Sequence, residues 1–67
     1  MGRTKKLIDE LIQKKSNGNA FQVSNVRMKL MFKGVLPDKI DDNTEDQEEI
    51  ISKIFEVAKD FNITLNN

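Results

Sequence analysis

The chain has 67 residues, 11 basic against 11 acidic, with no His, Cys, Trp or Tyr. A chain this short is one domain with one core, and without Cys it has no disulfide or thiolate metal site to reinforce it. The missing His and Cys also remove the commonest general base, the thiol nucleophile and the usual zinc ligands, so no enzyme activity, cofactor or small-molecule substrate is expected.

The zero net charge is made of two unlike halves. Up to Lys33, eight basic residues face two acidic ones; from Gly34 onward three face nine, a net +6 and −6. No apolar run approaches the roughly 20 residues that span a bilayer. Asp9 and Glu10 interrupt any signal-peptide core after the basic start, and Lys6 stands where a myristoylation motif has Ser or Thr. A cytoplasmic protein with no membrane partner is expected.

In chain order, Leu7, Ile8, Leu11 and Ile12 line one face of a first helix, near residues 5–15. Thr4 is its expected cap, Lys14 and Lys15 suit its negative end, and Asn17 or Gly18 can take the positive φ that stops it.

The next segment carries two signals. Val26, Met28, Leu30 and Phe32 alternate with Arg27, Lys29, Met31 and Lys33, a period of two that by itself describes a half-buried strand. Ser24 as a cap, Val23 stapled to Met28, Gly34 as a left-handed stop contacted through Val35 and Leu30, and Pro37 beyond describe a helix near residues 24–33. A lone strand has no partner in this chain, so the helix is preferred.

Residues 34–44 form an expected loop, with Leu36 and Ile40 anchoring it to the core. Thr44 and Gln47 have capping-box spacing, and Glu45, Asp46, Glu48 and Glu49 charge the start of a third helix near residues 45–60. Ile50, Ile54, Val57, Ala58 and Phe61 are its apolar stripe, widened by Ile51 and Phe55. Asn62 can end it, and Ile63 and Leu65 fold back. The expected architecture is all-α: a small three-helix domain with a single core.

The acidic stretch around Asp41 fails as an EF-hand, because the required Gly is Asp46 and the bidentate Glu is Ser52. The three glycines stand apart, so there is no phosphate loop. The four Phe and the pair Met28 and Met31 are expected in the core, although methionines also line adaptable grooves. An amphipathic first helix flanked by lysines has only four apolar residues, too few for membrane docking to be preferred over packing.

With catalysis set aside, two functions remain. The first is a protein-interaction or regulatory module, with a protein partner or self-association. The alternative is weak, largely non-specific nucleic-acid binding through the basic half. After lysines at helix ends are discounted, the candidate basic binding face is Arg3, Lys5, Lys6, Arg27 and Lys29. The second and third helices are about ten residues apart in this reading, too far for a helix-turn-helix.

Overall fold

The computed structural model describes residues 2–66. It contains α1 (Arg3–Ser16), α2 (Ala20–Phe32), a single 3₁₀ turn (Pro37–Lys39) and α3 (Glu48–Asp60). No strand occurs among the described residues, and residues 26–32 are helical. All three expected helices are present, but their N-terminal ends differ from the sequence reading.

The first of these differences concerns α1. Its N-cap is Gly2, at φ 90°, and Thr4 lies inside the helix and is buried. Thr4 does not cap; it receives a cap. Its N–H and its hydroxyl both donate to Asp46 Oδ1, at 2.9 and 2.8 Å. An acid from the loop before α3 therefore takes up orphan donors at the positive end of α1, where a carboxylate is electrostatically favoured. Gly2 is held close to the same loop: a Cβ there would stand 3.4 Å from the Asp42 carbonyl oxygen.

Asn17 and Gly18 both adopt positive φ and end α1. Asn19 then caps α2, accepting N–H bonds from Phe21 and Gln22 at 2.9 and 3.3 Å. α2 thus begins at Ala20, and Ser24, expected to cap it, is an exposed mid-helix residue. The expected Val23–Met28 staple falls away with it. An Asn side chain caps as well as Ser does, and its position directly after the α1 turn leaves no room for a longer loop.

The C-terminal end of α2 is as expected. Gly34, at φ 89°, donates to the Met31 carbonyl at 2.9 Å, and Val35 donates to Leu30 at 2.9 Å, the paired bonds of a Schellman motif. α3 ends the same way, with Asn62 in place of glycine: Asn62 donates to Lys59 at 3.0 Å and Ile63 to Ala58 at 2.8 Å.

α3 starts at Glu48, with Gln47 as a cap residue whose side chain makes no capping bond. Thr44 is unavailable for that role. Its hydroxyl oxygen accepts the Asp41 N–H at 2.8 Å and its proton goes to Asp41 Oδ1 at 3.2 Å, while the Asn43 N–H donates to the same carboxylate at 2.9 Å. This closed turn consumes the polar groups that the capping-box pattern assigns to α3. Glu48 and Glu49 still charge its first turn.

The core comprises Leu7, Ile8 and Leu11 from α1, Val26 and Leu30 from α2, Val35, and Ile54, Val57 and Ala58 from α3. Ile40, Ile63 and Leu65 pack against it as expected, whereas Leu36 is 47% exposed and is not among the residues packed on this core. The tail beyond α3 is clasped to α1: Lys14 Nζ donates to the Thr64 carbonyl and the Asn66 N–H to Glu10 Oε2, each at 2.7 Å, with Glu10 and Lys14 paired at 2.7 Å.

Two measurements check these helix ends. Asn19→Ala lowers stability by about 0.5–2 kcal/mol by chemical denaturation, while Ser24→Ala changes it by less than about 0.5 kcal/mol. Bonds from the Thr4 N–H first, then from the Thr4 hydroxyl and the Arg3 N–H, hold the Asp46 carboxyl below its ordinary pKa. Its folded-state pKa being the lower, the stability it contributes is present above about pH 4 and lost as pH falls through the folded value. Asp46→Ala therefore melts below the parent at pH 6, and the gap narrows toward pH 2; a gap constant with pH would remove Asp46 from this role.

Candidate interaction surface

The unusual feature of the fold is α2. Its residues advance about 100° each around the helix axis. A period of two then throws alternate residues to opposite sides, so the strand-like alternation is, on a helix, a sign of two apolar faces. Val26 and Leu30 point inward and are fully buried. Met28 and Phe32 point outward, 52% and 81% exposed. Phe21, 82% exposed, and Asn25 fall on the same line, so Phe21, Asn25, Met28 and Phe32 lie within about 60° of arc and extend about 17 Å along the helix. Met31, half exposed, borders them.

This corrects the placement of the aromatic residues and methionines. Phe21 and Phe32 are outside the core, Phe55 is 37% exposed, and only Phe61 packs against the buried cluster. Met28 and Met31 fill no gap in the interior. Scattered exposed apolar side chains are ordinary, but Phe21, Met28 and Phe32 aligned on one helix face, with Asn25 among them, are the kind of surface that marks a contact site.

Beside the stripe is a shallow groove of about 380 Å³, with Met28 and Phe32 on its α2 wall and Phe61 across from them. Lys15 Nζ sits 5.0 Å from the centre of the Phe61 ring, a cation–π contact at the groove edge.

The stripe itself carries no charge. Arg27 and Lys29 lie on its two flanks, each turned to an acid of the same chain: Arg27 to Asp38, and Lys29 to Asp60 at 3.5 Å. Lys33 pairs with Glu56 at 3.8 Å. A step of four forward on α2 matches a step of four backward on α3, so these pairs bridge two antiparallel helices. Individually such exposed pairs are worth little, but together they set the two halves of the chain, +6 and −6, against each other.

Of the five candidate basic residues, three lie in the first turns of α1 and two on α2. Arg3 lies over the Phe55 ring at 5.9 Å. Lys5 is bonded to Asp9 at 2.7 Å, which raises the lysine pKa through that hydrogen bond and the neighbouring charge. Lys6 is exposed on α1 beside Asp9 and Glu10. Arg27 and Lys29 occupy opposite flanks of α2. The α1–α2 connection is only three residues, within helix-turn-helix range, while the α2–α3 connection is longer than expected. The solvent side of α2, where a recognition helix carries basic residues, instead carries Phe21, Met28, Met31 and Phe32 with uncharged Ser24 and Asn25 among them.

No group of three metal-ligating side chains is found among the described residues, and none of their helices is long and apolar enough to cross a membrane. No family model, curated protein or solved structure matches the chain.

The stripe is legible in the sequence in one respect: the alternation over residues 26–32, combined with a helical assignment, implies two apolar sides. A helix that starts at Ser24 leaves Phe21 outside it, whereas the Asn19 cap brings Phe21 onto the stripe.

Because Phe21 and Phe32 bury so little within the chain, Phe21→Ser and Phe32→Ser leave unfolding free energy within about 0.5 kcal/mol of the parent, whereas Leu30→Ala costs about 2–5 kcal/mol. Denaturant titration followed by circular dichroism distinguishes the two classes.

Proposed function

We propose that this chain is a non-catalytic protein-interaction module of the cytoplasm whose contact surface is the outward stripe of α2. The observation that carries the reading is the line Phe21, Met28 and Phe32, exposed on a helix whose opposite side is core. Aromatic and Met side chains are enriched at protein interfaces, where charged residues are depleted, and the stripe has that composition. A cytoplasmic setting accords with the absence of Cys, since reduced compartments do not rely on disulfides.

Nucleic-acid binding through Arg3, Lys5, Lys6, Arg27 and Lys29 is the competing reading. Lys5, Arg27 and Lys29 are each matched by a carboxylate, so displacing those acids would offset part of the gain from phosphate contacts.

The readings separate in one pair of experiments. A photo-crosslinking residue placed at Asn25, in the middle of the stripe, captures protein in a native extract and loses it when Phe21→Ser and Phe32→Ser are added; the same residue at exposed Ser52 on α3 captures none. In a mobility-shift assay at about 50 mM salt, the protein leaves DNA and RNA unshifted. A shift that fades steeply by about 0.2 M salt, and that disappears with Lys5→Glu, Lys6→Glu, Arg27→Glu and Lys29→Glu, would replace the interaction reading with the nucleic-acid one.

A further inference from the structure

We infer that the occupant of the α2 stripe is a second copy of this chain, packed antiparallel about a two-fold axis that passes near the middle of the helix. The inference rests on the stripe being an interaction surface, and three observations are compatible with this partner.

The first is spacing. Along the stripe the residues run Phe21, Asn25, Met28, Phe32, with intervals of four, three and four. Read from the other end the intervals are again four, three and four. A two-fold interface requires a surface complementary to itself. With two α2 helices antiparallel and centred between Val26 and Arg27, Phe21 lies beside Phe32 of the second copy at each end, and Met28 lies beside Asn25 of the second copy in the middle. Both ends become aromatic pairs, and the short polar side chain meets the long flexible one.

Charge is the second. Nothing on the stripe is ionised, and the flanking Arg27 and Lys29 are turned to Asp38 and Asp60 of their own chain. A charged partner finds no opposite charge to meet on the stripe. A second copy brings an equally neutral one, and the net charge of zero leaves no repulsion between whole molecules.

Area is the third. An aromatic side chain buries about 150–250 Å², so two Phe exposed above 80% and two half-exposed Met offer roughly 400–500 Å² per chain. Two copies then bury at most about 800–1,000 Å² in all, below the roughly 1,200 Å² at which stable interfaces begin and within the range of weak, transient ones. The dimer is accordingly weak and reversible, with a dissociation constant on the order of 100 µM.

Sedimentation equilibrium between about 10 µM and 2 mM chain tests this. The expected result is a shift from 7.7 kDa toward twice that mass. Met28→Glu places a carboxylate near the axis from each copy and weakens association at least about tenfold; Phe55→Ser, which changes an exposed aromatic residue off the stripe, leaves it unchanged. Circular dichroism confirms that both variants remain helical. Register is read separately, because the parent chain has no Cys. When Phe21→Cys and Phe32→Cys chains are mixed and oxidised with a thiol–disulfide reagent, the mixed disulfide forms in excess over like pairs, since only the mixed dimer brings the two thiols together, whereas like chains hold theirs about 16 Å apart at opposite ends. A monomer at 2 mM, a dimer indifferent to Met28→Glu, or like disulfides as abundant as mixed ones would overturn the inference. Should the chain stay monomeric while the crosslinker at Asn25 still captures another protein, self-association fails and the interaction surface stands; failure of both removes both.

Discussion

α2 has apolar residues on two opposite sides, and α1, α3 and the C-terminal tail cover one of them. The rest of the molecule follows from that constraint. α1 and α3 pack over Val26 and Leu30, the Schellman turn at Gly34 brings Val35 in beside them, and the C-terminal tail closes the remaining edge with Ile63 and Leu65. Once those groups are used, Met28 stays half exposed and Phe32 81% exposed, with Phe61 across a shallow groove from them. Surface-to-volume scaling makes this hard to avoid in small domains, but the outcome here is specific: the uncovered side is a straight, uncharged line rather than scattered side chains.

Electrostatics acts on orientation more than on stability. Opposite charges of the two halves meet across the α2–α3 boundary and at the 3₁₀ turn. Lys29 with Asp60 and Lys33 with Glu56 fit only an antiparallel arrangement of α2 and α3. Parallel packing of the same helices would leave those lysines without their acids. Asp46 makes a similar choice at the other end of the molecule. Its carboxylate reaches the positive end of α1 through the Thr4 N–H and hydroxyl, and so ties the loop before α3 to the start of the chain.

The helix ends show where local pattern and tertiary context diverge. Gly34 and Asn62 end their helices by local means: a residue tolerant of positive φ, followed by an apolar residue, suffices for the Schellman bonds, and both stops are readable in the chain. The starts are different. Ser24 and Thr44 are good caps by residue type, but Asn19 comes first for α2, and Thr44 is held in a closed turn with Asp41. For α1 the capping oxygen comes from Asp46, 42 residues away. No local pattern encodes a cap supplied across the fold.

By itself the sequence determined the class of this protein: three helices, one core, the residues at its centre in α1 and α3, the C-terminal stops of α2 and α3, and the lack of His and Cys chemistry. Each follows from composition or from a periodicity that acts over a few residues. Tertiary structure alone decided which side of α2 faces inward, since both sides are apolar and only contact with α1 and α3 breaks the tie. It also decided that opposite charges far apart in the chain meet, and that Asp46 serves α1 rather than α3. These are contacts between distant segments, and their energies depend on a geometry that exists only once the helices have packed.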